Sequence, residues 1–226
     1  MKYDKLPTNL KNPTTKAYYD LLKKKKLTFF FKRLFDIIMS LCMIVILSPV
    51  LIIISFIILC TSKGPILYKQ RRVTKYGKIF KIWKFRTMVK HADKIGTQVT
   101  IKGDPRITKV GKFLRKCRLD ELPQLFNILF GQMSFVGPRP EVEKYVNQYQ
   151  EEMYATLLVR AGVTSLASIK YKDENKLLEH ASDADEVYIN EILPEKMKYN
   201  YQYLKKINIF YDIALLFQTV IAVLKR

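Results

Sequence analysis

The dominant pattern in the chain is an apolar run. From Ile37 to Cys60 no residue is charged, and only Ser40, Ser48, Pro49 and Ser55 interrupt the hydrophobic sequence. At ~1.5 Å per residue such a run can cross the roughly 30 Å hydrocarbon layer of a bilayer, whereas a soluble core helix seldom stays uncharged so long. It starts too far into the chain for a signal peptide, runs too long, and lacks a small-residue cleavage site after it. The pattern predicts a membrane helix over residues 29–62. Pro49 falls near its middle, where it deletes one helical hydrogen bond and crowds the preceding turn. Ser48 can offer its hydroxyl to the freed carbonyl, which matters where water is absent. Together, Ser48 and Pro49 predict a re-entrant hairpin, with a kinked full span as the alternative.

Downstream the periodicity changes. After the turn signal Lys63-Gly64-Pro65, residues Ile66 to Val73 and Gly77 to Phe85 read as two short strands around Thr74-Lys75-Tyr76-Gly77. Asp104-Pro105 supplies a helix N-cap and a proline for the first helical position. Ile107, Val110, Leu114 and Cys117 then follow at helical spacing. A second helix is expected from about Asp120, with Leu122, Leu125, Phe126 and Leu129 apolar and Gly131 past its end. Helical patterns return over residues 141–158, 174–193 and 208–224, the last one amphipathic. The fold class is α+β, mainly helical. A basic lead-in (1–28) and a re-entrant membrane helix (29–62) precede a cytosolic domain (63–226), expected to hold a small β-hairpin and amphipathic helices resting at the membrane interface.

Charge narrows the partners. Forty Lys and Arg against 20 Asp and Glu give a formal charge of +20, which calls for nucleic acid, an anionic membrane or phosphate-bearing substrates. Ten of the bases lie in residues 1–33 against two acids, including the run Lys23-Lys24-Lys25-Lys26. Beside a membrane helix that run suits anionic lipid, at about 1 kcal/mol per basic residue. Ten more lie between Lys63 and Lys90, and no acid occurs from Thr61 to Ala92. A hairpin keeps both clusters in the cytosol, as the positive-inside tendency requires. The cysteines Cys42, Cys60 and Cys117 suggest no disulfide framework, and His91 and His180 suggest no zinc site.

Two segments carry candidate chemistry. In Arg118-Leu119-Asp120-Glu121-Leu122-Pro123, adjacent carboxylates follow a strongly basic helix and open another. Helix N-terminus and guanidinium groups favour ionised carboxylates and draw in a diphosphate, so an ionised aspartate could attack phosphorus. Acid pairs at helix starts also serve as plain caps, and the residues alone leave both readings open. In Phe135-Val136-Gly137-Pro138-Arg139-Pro140-Glu141, flanking prolines aim a guanidinium suited to phosphate or base recognition. The alternative is a rigid turn in which Arg139 pairs with Glu141 or Glu143. Lys84 and Arg86 offer two further cations, or merely a charged sheet edge.

These pieces resemble, in order, the bacterial sugar transferase family of monotopic phosphoglycosyl transferases. The resemblance covers roughly residues 30–226. It rests on Lys32-Arg33 with Asp36, Ser48-Pro49, Gly64-Pro65 with Tyr68-Lys69-Gln70, Lys84-Phe85-Arg86-Thr87-Met88, Asp104-Pro105-Arg106-Ile107-Thr108, Leu119-Asp120-Glu121-Leu122-Pro123-Gln124-Leu125, and Gly137-Pro138-Arg139-Pro140-Glu141.

The resemblance implies that a phosphosugar passes from a UDP-sugar donor to polyprenol phosphate through Asp120, with release of UMP. Glu121 would be its acidic partner, and Mg²⁺ would be held by Asp120 and Glu121. Lys84, Arg86, Arg118, Pro138, Arg139 and Pro140 would bind substrate. The protein would be monotopic on the cytoplasmic face of the cell membrane, in contact with anionic lipids, without nucleic acid, and with a homodimer left open. Larger members carry an extra multi-span N-terminal region, which a chain of 226 residues is expected to lack. Thr74, Ala161 and Ser165 depart from the family's usual glycines and proline, which bears on sugar preference more than on reaction class. A membrane-tethered, non-catalytic basic module is the rival reading; it accounts for the charge but not for the acid pair or the proline bracket.

Overall fold

The computed structural model describes residues 2–90, 92, 103–171 and 183–224. Two 3-10 turns, Tyr3–Lys5 and Thr8–Leu10, lead into helix α1, Pro13–Lys23. Asn12 caps α1 by accepting from the Thr15 amide at 2.7 Å, with Pro13 in the first turn. The lead-in is therefore ordered rather than irregular. Leu6, Leu10, Tyr18 and Leu22 turn inward and share a core cluster with Val136, Leu158, Tyr203 and Leu204.

Helix α2, Lys26–Thr61, is one 36-residue helix with Pro49 inside it, and its most apolar window reaches a mean hydropathy of 3.1. Proline at 49 deprives the Val45 carbonyl of its helical donor, and Ser48 Oγ donates to that carbonyl at 2.8 Å. One stripe of α2 faces the rest of the protein along its whole length. Lys32, Asp36 and Ser40 are buried, and Ile44 and Leu47 pack on Phe80, Leu125 and Ile128. Leu51, Ile54 and Ile58 continue the stripe onto Phe85 and Leu114. Steps of three and four residues keep these side chains on a single helical face. Both ends are tied down. Arg33 donates to the Ile128 and Leu129 carbonyls at 2.7 and 2.8 Å, and Arg86 donates to the Ser62 carbonyl at 2.7 Å. Elsewhere α2 leaves large apolar side chains bare, among them Ile46, Ile52 and Phe56.

The predicted β-hairpin is present. Strands β1, Leu67–Thr74, and β2, Lys78–Phe85, pair antiparallel with Leu67 opposite Phe85 and Thr74 opposite Lys78. Tyr76 and Gly77 take φ of 62° and 72°, which lets the tight turn between the strands reverse the chain. Helix α3, Lys109–Lys116, begins later than expected. Its cap is Thr108, which accepts from the Gly111 amide at 2.9 Å. Asp104 is engaged by Arg106 instead, through the backbone amide and the guanidinium. A 3-10 turn, Leu119–Glu121, connects α3 to helix α4, Gln124–Leu129.

A second sheet was not foreseen: β3, Met133–Val136, pairs in parallel with β4, Ala161–Thr164. Between them the helix expected over 141–158 is split into α5, Glu143–Val146, and a 3-10 stretch, Glu151–Leu158. Ala155, Thr156, Leu157 and Leu158 are buried in succession, which a one-sided amphipathic helix cannot provide. Helix α6 spans Leu166–Lys170. Part of the helix predicted over 174–193 lies outside the described residues. The remainder forms α7, Ala184–Val187, and a π turn, Tyr188–Ile192, leading into α8, Leu193–Lys206. Helix α9, Ile209–Leu224, matches the predicted final helix.

Because Leu10 is fully buried in the lead-in, Leu10→Ala should cost about 2–5 kcal/mol and lower the unfolding midpoint in detergent. A midpoint unchanged from wild type would mean that the lead-in does not pack on the domain.

Candidate active site

The acid pair is set by a sharp change of direction. Arg118 takes the left-handed conformation, φ 58°, between α3 and the 3-10 turn, which ends one helix and swings the next two residues inward. Asp120 is buried, and Glu121 lies beside it among cations. Lys84 Nζ, from the end of β2, meets Glu121 Oε1 at 2.8 Å. Arg139 Nη2 meets the same oxygen at 2.6 Å, and Arg118 Nη1 lies 4.0 Å from it.

These neighbours split the two carboxyls. For Glu121, burial opposes ionisation, but the charges of Arg139, Lys84 and Arg118 overcome it and hold the group well below the usual range. For Asp120, burial dominates and pushes the carboxyl up, with Glu121 adding to the effect while Lys84, Arg115 and Arg118 oppose it. Lys84 is pushed down by burial and held up chiefly by Glu121. Among the described residues, no hydrogen bond is donated to the Asp120 carboxylate. The buried Asp120 carboxyl thus faces three cations, Lys84, Arg115 and Arg118, together with its own acidic neighbour.

Arg139 reaches the pair because its loop is clamped. Gly137 donates to the Thr164 carbonyl and Gly162 donates back to the Pro138 carbonyl. A Cβ on Gly162 would lie 2.1 Å from the Gly137 nitrogen, so this close crossing of β3 and β4 needs glycine. On the far side of the bracket, Arg72 Nη1 donates to the Pro140 carbonyl at 3.1 Å. Glu141 accepts from Tyr188 Oη at 2.8 Å and pairs with Lys196 and Arg72 at 3.7 and 3.8 Å. Glu143 is bound by Arg71 at 2.9 Å. The sequence alternative of an Arg139–Glu141 or Arg139–Glu143 pair is thus replaced by the Arg139–Glu121 pair.

Of the residues selected from sequence, Asp120, Glu121, Lys84, Arg118 and Arg139 converge, and Pro138 and Pro140 hold the loop. Arg86 does not join them; its guanidinium runs to the Ser62 carbonyl and hydroxyl at the end of α2. Ser48 and Pro49 sit in the apolar helix. Sequence reasoning missed Arg115, whose Nε donates to Thr87 Oγ1 at 2.8 Å and whose charge acts on both carboxyls. It stands in a run of bases with nothing to single it out. Arg72, Tyr188 and Lys196 were missed as well, because only the fold brings them to Glu141.

No cluster of three or more metal-binding side chains occurs among the described residues. Mg²⁺ commonly binds through one or two carboxylates plus substrate phosphates, and an adjacent Asp–Glu pair fits that donor set. Lys84 and Arg139 both contact the same oxygen, Glu121 Oε1.

The profile of the bacterial sugar transferase family matches residues 27–226, and the chain belongs to that family. It is 41% identical over 196 residues to a UDP-glucose:undecaprenyl-phosphate glucose-1-phosphate transferase of Klebsiella pneumoniae, covering 84% of this chain and 39% of that protein. It is 36% identical over 199 residues to a UDP-N-acetylgalactosamine-undecaprenyl-phosphate N-acetylgalactosaminephosphotransferase of Aeromonas hydrophila, covering 86% and 44%. An exopolysaccharide production protein of Rhizobium leguminosarum is 40% identical over 150 residues, covering 62% and 73%. The chain spans about two fifths of the length of the first two relatives.

Glu141→Gln removes the charge that Lys196 and Arg72 share, leaving buried cations short of a partner. Stability should fall by about 1–3 kcal/mol, read as a lower unfolding midpoint in detergent. A midpoint equal to that of wild type would mean that Glu141 does not hold the clamp.

Proposed function

We propose that this chain transfers a sugar phosphate from a UDP-sugar to undecaprenyl phosphate at the cytoplasmic face of the membrane, starting a lipid-linked glycan. The observation that carries the reading is the buried Asp120–Glu121 pair ringed by Lys84, Arg115, Arg118 and Arg139. The names of the relatives share the uridine diphosphate donor and the undecaprenyl phosphate acceptor and differ in the sugar, so the proposal is of the shared chemistry.

The geometry supports the following steps. The donor's diphosphate enters the ring of cations, which supplies electrostatic stabilisation without reorganisation. An Asp120 carboxylate oxygen attacks the sugar-bearing phosphorus, the bond to the second phosphate breaks, and UMP leaves with the electron pair. A phosphate oxygen of the acceptor then attacks the same phosphorus, and the bond to Asp120 breaks, regenerating the carboxylate. Glu121, kept ionised, holds Lys84 and Arg139 in register for the phosphate oxygens. Asp120 and Glu121 would hold Mg²⁺, which would supply neutralisation of diphosphate charge. Arg139, aimed by its clamped loop, binds the nucleotide.

Topology belongs to the same proposal. The stripe of α2 that touches the domain runs from Lys32 to Ile58, and both ends of the helix are tied to that domain. A helix crossing the bilayer would carry one end away from it. This supports a re-entrant, monotopic arrangement in which Pro49 relaxes the helix and Ser48 satisfies the freed carbonyl.

Asp120→Asn should abolish UMP release and phosphosugar labelling of the protein with magnesium and polyprenol phosphate present. Arg139→Lys should weaken substrate use despite keeping its charge, because an ammonium lacks the planar fork. Substantial turnover by Asp120→Asn would sink the nucleophile. For topology, a single cysteine at the exposed Asn9, in a variant lacking the native cysteines, should resist a membrane-impermeant thiol reagent in intact cells. Labelling without permeabilisation would overturn the hairpin.

A further inference from the structure

The first turns of α2 and the start of α9 enclose a groove of about 530 Å³, remote from the acid pair. Leu27, Phe31, Leu34 and Ile38 line it from α2, and Ile209 and Phe210 line it from α9. Its volume falls within the ~300–1,000 Å³ of small-molecule sites. Two ties preform it. Lys25 Nζ donates to the Lys205 and Ile207 carbonyls, each at 3.0 Å, joining the α1–α2 corner to the α8–α9 corner. Further in, Lys32 pairs with the buried Asp212 across the same two helices.

The first tie also gathers charge. It joins a corner that exposes Lys24 and Lys26 to a corner that exposes Lys205 and Lys206. Asp20 is the only acid between residues 5 and 35, and Asp212 the only one between 196 and 226. The groove therefore has an apolar body and a cationic mouth at the end of the helix that enters the membrane. We infer that it binds one anionic glycerophospholipid, with an acyl chain along Phe31 and Ile38 and the phosphate against Lys24, Lys26, Lys205 and Lys206. The acceptor lipid does not fit the same place. Its phosphate must reach Asp120, whose turn packs near Ile54 and Ile58, and Leu34 and Ile54 are 20 residues apart, up to about 30 Å at ~1.5 Å per residue. The bound lipid instead holds the first half of α2 at headgroup depth, independently of turnover.

The inference rests on the reading of α2 as a membrane-entering helix, and the test separates the two. The chain has one tryptophan, so Trp83→Phe with Phe31→Trp leaves a single indole in the groove. The full chain is placed in phosphatidylcholine vesicles containing brominated phosphatidylglycerol or brominated phosphatidylcholine at equal mole fraction. Phosphatidylglycerol should quench roughly fivefold more effectively, and the preference should vanish in Lys24→Gln, Lys26→Gln, Lys205→Gln, Lys206→Gln combined. Phe210→Trp, at a side chain 82% exposed, should report the same preference should the first reporter fold poorly. Equal quenching by both lipids overturns the site while leaving α2 in the membrane. Absence of quenching by either overturns the membrane reading itself. A preference that survives the four substitutions, or that equimolar polyprenol phosphate abolishes, also overturns the assignment.

Discussion

An apolar helix of 36 residues must satisfy two surroundings at once, and α2 does so by dividing its circumference. One narrow face meets protein from end to end, while the rest offers hydrocarbon-compatible side chains. Everything around the acid pair is built off that face. Ile54 and Ile58 support Phe85 at the end of β2 and Leu114 on α3, with Leu119 and Leu122 flanking the acid pair. The helix therefore does more than anchor: it fixes how far the carboxylates stand from the apolar surface. The proposed transfer from a water-soluble donor to a lipid acceptor needs that distance to be constant, and a rigid contact stripe supplies it where a flexible tether would not.

Electrostatics sets the second condition. Burying two adjacent carboxylates is unfavourable unless nearby charges compensate. Here compensation is unequal. Glu121 receives the direct ion pairs, so it stays charged and acts as a hinge post joining β2 to the proline loop. Asp120 receives charge at longer range, and among the described residues no hydrogen bond is donated to its carboxylate. Hydrogen bonds to a carboxylate lower its basicity, so the two carboxyls are driven apart. The pair thus divides into an ion-paired carboxylate and one pushed up by burial, although their sequence context is nearly the same.

Much of this was legible in the sequence because the signals were local. The Thr74–Gly77 turn, the acid pair and the proline bracket are each readable within ten residues, and the apolar run is one unbroken uncharged stretch. What escaped was non-local. Leu6, Leu10, Tyr18 and Leu22 are scattered among polar and basic neighbours, so the lead-in carries no strong amphipathic signal, yet each finds a place in the core. Parallel pairing of β3 with β4 depends on the Gly137–Gly162 crossing, between residues 25 apart. Asp104-Pro105 misled because an Asp can cap a helix or fork with an arginine two residues on, and Arg106 took it. Arg86 was chosen for its charge, but the helix end it closes is built by residues some 24 positions earlier.

The charge of +20 turns out to be two populations with different physics. The arginines are mostly committed to protein: Arg33 and Arg86 to carbonyls at the two ends of α2, Arg72 to the proline bracket, Arg106 to Asp104 and Arg139 to Glu121. A guanidinium is planar, weakly hydrated and rich in donors, so it tolerates burial and fixes geometry. Many of the lysines stay on the surface, as at Lys23, Lys24, Lys26, Lys205 and Lys206. An ammonium keeps its water and acts as a mobile point charge, which suits headgroups that vary in position. Lys84 is the instructive exception. It is drawn inside by Glu121, which its ammonium meets at 2.8 Å.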